Sequence, residues 1–477
     1  MSNQEEVSLT HKVAHNTIIQ FTGKIIATFL AVVIASLLMR YLGPEGFGEY
    51  TIIITFLAIF SVLADLGLQA TLTREISKEG ADIKKIVSNI FTIKLIFGFG
   101  ILLLAPIIAL FFPYSDVVKK GILIGVISYF CMILIWVLWG IFQKHFHMEK
   151  VAIGEVTAKM IWLLGVILCV RLNLGLLYIV AFAVLANFIN LIIIFLFAQP
   201  FVKIRLAFNF LEWRHLLKIA YPLAIMAALT LVYFRVNIIL LSVLKSEVEV
   251  GIYGAANKII EFLVTLPAIF TGLLLPVLSR TVFLDRERFA KIYQKGFNAL
   301  AVLATPLIFG TQFFAKPIIE LFGGKEFLAS ANVLRILIFS CGIIFFAHLF
   351  SYAVVAANQQ RKAVWFYGLA GFVAVLGNLI FIPYFSYYAT AVVSIVSEAI
   401  VCLSCAWIIA RTIKVRPHLK IFLKSLISSL VMAGMLYLLP KWHFSISFVL
   451  AIVIYFVVLY VLRGFSKETV KEIIRLR

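Results

Sequence analysis

The sequence predicts an all-helical protein that crosses a membrane many times. Of its 477 residues, 63% are hydrophobic and only 13% are charged, and the mean hydropathy is +1.08. Soluble domains carry about a quarter charged residues. Windows of roughly 20 apolar residues, long enough to cross a hydrocarbon layer about 30 Å thick, recur from one end of the chain to the other. We therefore expect the bilayer to be the solvent of this chain.

About fourteen such windows follow one another and define the predicted helices. Polar or basic turns separate them, as expected for successive crossings. The segment before the first window holds two glutamates and lacks a basic start, so we expect it to be retained rather than cleaved as a signal peptide. The windows cover residues 17–39, 50–70, 88–112, 121–142, 156–172, 175–197, 217–243, 251–279, 296–315, 333–356, 363–382, 387–410, 421–439 and 444–462.

Lysine and arginine are distributed unevenly between alternate loops, which predicts the orientation. The chain has 42 of these residues and a formal net charge of +20. When loops are assigned alternately to the two sides, the side that holds both termini carries 28, the other side carries 9, and 5 fall inside the predicted helices. Cytoplasmic loops are enriched in lysine and arginine. We expect both termini in the cytoplasm and attribute the charge to topology and headgroup attraction, with no nucleic-acid partner.

A polar corner occurs twice and indicates an internal repeat. MRYLGPEGFGEY at 39–50 and SVLKSEVEVGIY at 242–253 align Gly48 with Gly251, and each separates two long apolar windows. Six helices lie between the corners, so both copies have the same orientation, as in membrane proteins built from parallel repeats. The predicted organisation is a six-helix bundle at 1–200, an amphipathic cytoplasmic linker at 201–216, a second six-helix bundle at 217–412, and two helices with a cytoplasmic tail at 413–477.

Sequence features that common membrane enzymes need are missing. The chain has four aspartates and no DxD pair, no GxxxxGK[ST] phosphate loop, and no expected loop longer than about 20 residues. Its five cysteines fall inside apolar windows, which disfavours a disulfide framework, and the CxxC at Cys402 and Cys405 is interpreted as helix packing. We therefore expect no enzyme activity, no metal and no cofactor. A membrane glycosyltransferase or polymerase is a less favoured alternative.

Motifs spread along the chain carry a specific resemblance. They are NTIIQFTGK, YLGPEGFGEY, LADLGLQATLTREIS at 63–77, GIFQKHFHMEK at 140–150, YPLAIMAALTLVYFRVNIILL at 221–241, GIYGAANKIIEF at 251–262, and later LFGGKEF, AANQQRK and NLIFIP. With these motifs the chain resembles the Wzx-type polysaccharide and oligosaccharide repeat-unit flippases of the multidrug/oligosaccharidyl-lipid/polysaccharide (MOP) exporter superfamily. The corner with LADLGL and TREIS is the most diagnostic part.

The resemblance implies fourteen helices in two bundles around a central cavity, similar to the multidrug exporters (MATE) of the same superfamily. It implies movement of a prenyl-diphosphate-linked oligosaccharide from the cytoplasmic to the outer leaflet by alternating access, for cell-surface polysaccharide biosynthesis. The implied location is the cell membrane, inner or plasma, with membrane lipids and a polymerase or glycosyltransferases of the pathway as further partners. A cation-coupled multidrug antiporter and a peptidoglycan-precursor flippase are the alternatives.

Five cations fall inside the predicted helices: Lys24, Lys94, Lys159, Arg235 and Lys258. Each costs about 2.5 to 3.5 kcal/mol at a helix centre, so such a residue is by default a functional candidate that faces a cavity. Lys24 and Lys94 lie about 10 Å in from the expected cytoplasmic ends of their helices, and Lys258 and Arg235 lie about 10 and 12 Å in from the outer ends. Lys159 is close enough to its helix end to snorkel. Lys258 and Glu261 could instead form a structural pair on one helix face. Because guanidinium and ammonium groups suit phosphate, the predicted diphosphate contacts are Arg235, Lys24, Lys94, Lys258 and Arg40.

Acids and amides complete the candidates. Asp65, Glu261 and Glu398 are the intramembrane acids that could bind a coupling ion or act in gating. The predicted glycan contacts are Asn358, Gln359 and Asn378, with interhelical hydrogen bonding as the alternative. The predicted bending points are Pro222, Pro267, Pro276 and Pro306.

One position departs from the family pattern. Family members often have an aspartate two residues after the arginine of the seventh helix, and this chain has Asn237 there. The missing acid would leave Arg235 freer to hold a phosphate, and it puts in doubt any ion coupling carried over from those members.

Overall fold

The computed structural model describes residues 3–78, 80–145, 147–438 and 444–464. Within these ranges, side chains are described from residue 22 onward, except at some positions between 222 and 234. This part of the chain consists of helices joined by short turns. The helices are α1 (Asn3–Asp65), α2 (Leu68–Ile76), α3 (Ile83–Ile93), α4 (Phe99–Ala109), α5 (Asp116–His145), α6 (Met148–Arg171), α7 (Leu176–Ala198), α8 (Phe210–Leu244), α9 (Glu247–Leu284), α10 (Arg286–Gly323), α11 (Ser330–Ala356), α12 (Gln360–Thr412), α13 (Lys420–Leu438) and α14 (Phe444–Val461).

Most of the predicted membrane crossings correspond to long apolar helices. Within the described ranges, eleven helices are long and apolar enough to cross a membrane, with α3 and α4 counted as one. Two of the eleven, α1 and α12, are each two helices merged across a kink, at Gly43 and Ser386. Helix α8 is 35 residues long, and Arg235–Leu244 is its apolar part within the described side chains. The predicted all-helical, multi-pass architecture is confirmed.

The chain forms two compact units, Met1–Gly251 and Ile252–Arg477. In the first unit, buried residues of α2, α3, α5 and the start of α8 form a core around Leu72, Ile90 and Leu138. In the second unit, a core around Phe314 and Tyr455 joins α10 to α13 and α14. The predicted linker 201–216 lies within the first unit, and the division into bundles around it stays a prediction. The predicted cytoplasmic tail from residue 465 lies outside the described residues.

Two interruptions of helical geometry occur in the first unit. Helix α1 ends at Asp65, and Leu66 and Gly67 adopt left-handed conformations (φ 52° and 69°) before α2 begins. Between α3 and α4, Lys94–Gly98 forms a π-helical segment. A Cβ atom on Gly98 would stand 3.5 Å from the carbonyl oxygen of Ala64, so the π-helical segment packs closely against the end of α1.

Residues 44–48 of the first polar corner contact residues 247–251 of the second, all within the first unit. A Cβ atom on Gly48 would stand 1.8 Å from the carbonyl oxygen of Glu247, and one on Gly251 would stand 1.8 Å from the carbonyl oxygen of Pro44. The contacts are reciprocal, because each glycine approaches the residue four positions before the other glycine. In this corner contact Gly48 lies beside Gly251, the same pairing that the alignment of the two corner sequences gives. Only glycine, which lacks a Cβ, lets two backbones approach this closely.

Residues 202–209, here called the strap, run along α3 without helical structure. Their backbone amides donate to polar side chains of α3 at three places. The pairs are Arg205 N with Ser88 Oγ (3.3 Å), Ala207 N with Thr92 Oγ1 (3.0 Å) and Asn209 N with Asn89 Oδ1 (3.3 Å). Asn89 Oδ1 also accepts a hydrogen bond from Trp213 Nε1 at 2.9 Å. Side chains of α3 thus accept the hydrogen bonds of strap amides, in place of the backbone carbonyl groups that would accept them in a helix or sheet.

Replacing Asn89 by alanine is expected to destabilise the protein by about 1 to 3 kcal/mol, because buried donors lose their acceptor. Trp213, which is buried, would keep only its longer bond to the carbonyl oxygen of Ala207 at 3.3 Å. The measurement is the thermal unfolding midpoint of the purified protein. Ser77→Ala is the control, since the exposed Ser77 lies just after α2 and its hydroxyl donates to the carbonyl oxygen of Thr73, one turn earlier. Equal midpoints for the two variants would contradict the docking of the strap on α3.

Candidate functional site

Three of the intramembrane lysines form ion pairs. The pairs, measured from Nζ to the nearest carboxylate oxygen, are Lys24 with Glu155 (3.1 Å), Lys94 with Asp65 (2.5 Å) and Lys258 with Glu261 (3.0 Å). A fourth lysine, Lys159, lies over the ring of Trp162 at 4.9 Å from the ring centroid. Pairing reduces the cost of a charge in a membrane helix. The three ion pairs differ mainly in how far they are buried.

The Lys94 and Asp65 pair is the most buried of the three. The side chain of Lys94 is 0% exposed and that of Asp65 is 14% exposed. Lys94 Nζ also donates to the carbonyl oxygen of Ile133 in α5 at 3.3 Å. The pair therefore ties the end of α1 to the start of the π-helical segment and to α5. The sequence named these two residues for separate roles, and the structure brings them together.

The Lys24 and Glu155 pair joins α1 to α6 and is more open. The side chain of Lys24 is 48% exposed and that of Glu155 is 25% exposed. The two helices approach closely beside the pair, because a Cβ atom on the buried Gly23 would stand 2.5 Å from the Cβ of Ala152. A small residue at position 23 is therefore what lets the ammonium and carboxylate groups meet.

In the second unit, Lys258 and Glu261 form the pair within α9 that the sequence offered as the structural alternative. Their side chains are 36% and 34% exposed. Asn257 Nδ2 donates to the other oxygen of Glu261 at 3.5 Å. Glu398, in α12, is buried. The diphosphate role of Lys258 and the coupling-ion roles of Glu261 and Glu398 stay predictions.

The two arginine candidates lie in the first unit. Arg235 is half-buried in α8, nine residues before that helix ends at Leu244, which is about 13 Å along the axis. The neighbouring candidate position, Asn237, is buried. Arg40 is exposed and lies three residues before the kink at Gly43. Their predicted roles as diphosphate contacts stay predictions.

The three predicted glycan contacts are not brought together. Asn358 has a left-handed conformation (φ 55°) in the turn after α11, and Gln359 follows it, donating to the carbonyl oxygen of Ala357 at 3.3 Å. Asn378 is fully buried in α12 and donates to the carbonyl oxygen of Ala374 at 2.7 Å. It lies 18 residues after the start of α12, about 27 Å along that helix.

Sequence reasoning missed Glu155. The predicted window began at residue 156, which placed this acid just outside the membrane. The structure starts α6 at Met148, so Glu155 lies seven residues inside the helix. A charged residue in helical register with the apolar run that follows it is the signal that could have found it.

Solved structures with a similar fold were compared with the chain. The lipid II flippase MurJ in an inward closed conformation has 17% sequence identity and a TM-score of 0.77, over 92% of this chain and 98% of that chain. An inward-facing multidrug resistance transporter of the MATE family has 15% identity and a TM-score of 0.65, over 83% and 99%. A MOP superfamily transporter from Pyrococcus furiosus, described as having reverse polarity of its binding pocket, has 15% identity and a TM-score of 0.54, over 84% and 96%.

The fold places the chain among multi-pass helical membrane proteins built like the lipid II flippase MurJ and the MATE transporters of the MOP superfamily. The family described as "Polysaccharide biosynthesis protein" matches residues 13–282, more than half of the chain. The chain belongs to this family, and the resemblance found in the sequence motifs is confirmed. None of the curated proteins compared with the sequence is similar enough to count as a match.

Proposed function

We propose that this protein is a flippase that moves a prenyl-diphosphate-linked oligosaccharide from the cytoplasmic to the outer leaflet by alternating access, for cell-surface polysaccharide biosynthesis. The observation that carries the proposal is a set of cations inside the helices of a fold shared with a lipid II flippase, in a chain of the polysaccharide biosynthesis family. It acts by moving its substrate and changes no covalent bond.

The electrostatics of the substrate give the physical reason. A diphosphate with attached sugars is the part of the lipid that the hydrocarbon layer rejects, whereas the prenyl chain stays in it. Cations at several depths lower the cost of carrying the anionic head across. Arg235 offers a planar guanidinium fork, which suits two phosphate oxygens. Lys24 offers an ammonium group that is about half exposed.

A cation-coupled multidrug antiporter is the nearer rival, since MATE transporters share the fold. A site for organic cations favours acids and aromatic rings. The sequence placed five cations against three acids inside the helices, and Glu155 raises the acids to four, so the excess is smaller than the sequence suggested. The family match favours the glycan substrate over this rival. A peptidoglycan-precursor flippase is the second rival, because its substrate carries the same diphosphate.

The proposed location is the cell membrane, with both termini in the cytoplasm. The asymmetry of lysine and arginine between alternate loops supports this orientation. The lipid-linked oligosaccharide and membrane lipids are the proposed partners, and a polymerase or glycosyltransferases of the pathway would supply or consume the substrate.

Proteoliposomes that contain a fluorescent prenyl-diphosphate oligosaccharide test the proposal. Under an imposed ion gradient, the wild type is expected to move the lipid between leaflets. Arg235→Ala and Lys24→Ala are each expected to slow this movement by roughly ten- to a hundredfold, the factor that corresponds to the free energy of one charge-assisted hydrogen bond. Arg214→Ala, at an exposed arginine near the start of α8, is the control and is expected to match the wild type.

Other outcomes would separate the rivals. Movement that survives both substitutions would keep the function and remove the two residues from the site. Absence of movement, together with uptake of organic cations, would favour the antiporter. Faster movement of lipid II than of any other glycan lipid would favour the peptidoglycan precursor.

A further inference from the structure

The ion pair between Lys24 and Glu155 differs from the other two in a way that bears on substrate binding. It joins two helices, whereas Lys258 and Glu261 lie on one helix, and its lysine is 48% exposed, whereas Lys94 is 0% exposed. An exposed ion pair contributes little stability, so it can be exchanged. A fully buried pair cannot lose one partner without leaving an uncompensated charge. Of the two intramembrane lysine pairs that join different helices, Lys24 with Glu155 is the one that can exchange readily.

A diphosphate competes well against a carboxylate for an ammonium group. The diphosphate between a prenyl chain and a glycan carries about two negative charges and four non-bridging acceptor oxygens, against one charge and two oxygens for glutamate. The Lys24 ammonium group, held by Glu155 at 3.1 Å, is therefore in position to take a phosphate oxygen in place of the carboxylate. The tight approach of Gly23 to Ala152 brings the two helices together where Glu155 meets Lys24.

We infer that Glu155 is the resident counter-ion of Lys24, which the diphosphate of the substrate displaces on binding and which expels that diphosphate on release. Glu155 is a positioning residue: it holds the ammonium group in place while the site is empty. It also lowers the affinity for the anionic head, so that the head can leave a cationic site. The inference rests on the proposed function, because it assigns a role at the same site.

Removing the charge of Glu155 should therefore tighten binding and slow release. Geranyl diphosphate, a water-soluble prenyl diphosphate, is the probe, and its binding to the full chain in detergent is measured by calorimetry. Glu155→Gln is expected to bind it about two- to fivefold more tightly than the wild type, the range that exposed ion pairs contribute. The same variant is expected to move labelled lipid more slowly, since product release limits many transport and catalytic cycles.

A matched control exists in the same unit. Lys85 and Glu212 form an ion pair of 2.7 Å with side chains 47% and 18% exposed, close to the values for Lys24 and Glu155, at the start of α3. Glu212→Gln is expected to leave the affinity for geranyl diphosphate unchanged. In a Lys24→Met background, Glu155→Gln is expected to give no tightening, because its effect acts through Lys24. Glu155→Asp, which keeps the charge with a shorter reach, is expected to tighten binding by a smaller factor.

The results separate the inference from the proposed function. Unchanged or weaker binding by Glu155→Gln and Glu155→Asp, with normal binding by the wild type, would overturn the inference alone. Equal tightening by Glu212→Gln, or tightening that persists without Lys24, would also overturn it. A wild type that does not bind geranyl diphosphate would overturn the proposed function and the inference together.

Discussion

Gly251→Ala is expected to destabilise the protein by about 3 kcal/mol or more, the upper part of the range for overpacked sites. The added Cβ would stand 1.8 Å from the carbonyl oxygen of Pro44 and 2.8 Å from its carbonyl carbon. Both neighbours are backbone atoms, so no side chain can rotate away, and the corner contact must open by more than an ångström. The thermal unfolding midpoint and the yield of monodisperse protein are the measurements.

The same helix provides the control. Gly272 also lies in α9, and a Cβ there would meet nothing within 4 Å. Gly272→Ala is therefore expected to be neutral or to stabilise by about 0.5 to 1 kcal/mol, the helical advantage of alanine over glycine. The two substitutions are chemically identical and differ in the predicted sign. If both variants unfold at the wild-type temperature, the corner contact is absent.

A second variant tests whether the contact is reciprocal. Gly48→Ala is expected to cost about as much as Gly251→Ala, because its Cβ would meet the carbonyl oxygen of Glu247 at the same 1.8 Å. The double variant is expected to cost less than the sum of the two, since one opening of the corner contact relieves both clashes. Additive costs would mean that the two glycines act at independent places.

The spans and the corners could be predicted because they are local properties of the chain. Apolar runs of membrane length and a polar turn rich in glycine are visible in any short window. Helix ends were predicted less well. Helix α10 runs Arg286–Gly323, against the predicted 296–315, because a helix continues through charged turns in the headgroup region that an apolar window excludes. Glu155 was missed for the same reason.

Contacts between distant segments could not be predicted in this way. Lys24 and Glu155 are 131 residues apart, and Asn89 and Trp213 are 124 apart. Pairing across such separations depends on which helices pack together and on their rotation, and neither is encoded in a periodic pattern. The pair of Lys258 and Glu261 was foreseen because it lies three residues apart on one helix.

The second large effect is expected at the buried pair of Lys94 and Asp65. Lys94→Met leaves a carboxylate that is 14% exposed without its counter-charge, and Asp65→Asn leaves a fully buried ammonium group without one. Each single substitution is expected to cost about 3 to 5 kcal/mol, the usual result of breaking a buried pair. Lys258→Met is the control, because its partner is about one-third exposed, and it is expected to cost well under 1 kcal/mol.

The double variant Lys94→Met/Asp65→Asn separates a structural role from a functional one. It removes both charges of this buried pair, and neutral replacements of both partners are often tolerated, so its unfolding midpoint is expected to return close to the wild-type value. Its translocation of labelled lipid is expected to stay more than about tenfold below wild type, because ionisable residues are kept in a membrane at a cost and mark transport pathways. The pair also adjoins the π-helical segment Lys94–Gly98, a feature found often at functional sites. If translocation recovers together with stability, Lys94 and Asp65 only hold α1, the π-helical segment and α5 together, and the predicted diphosphate and coupling-ion roles pass to the remaining candidates.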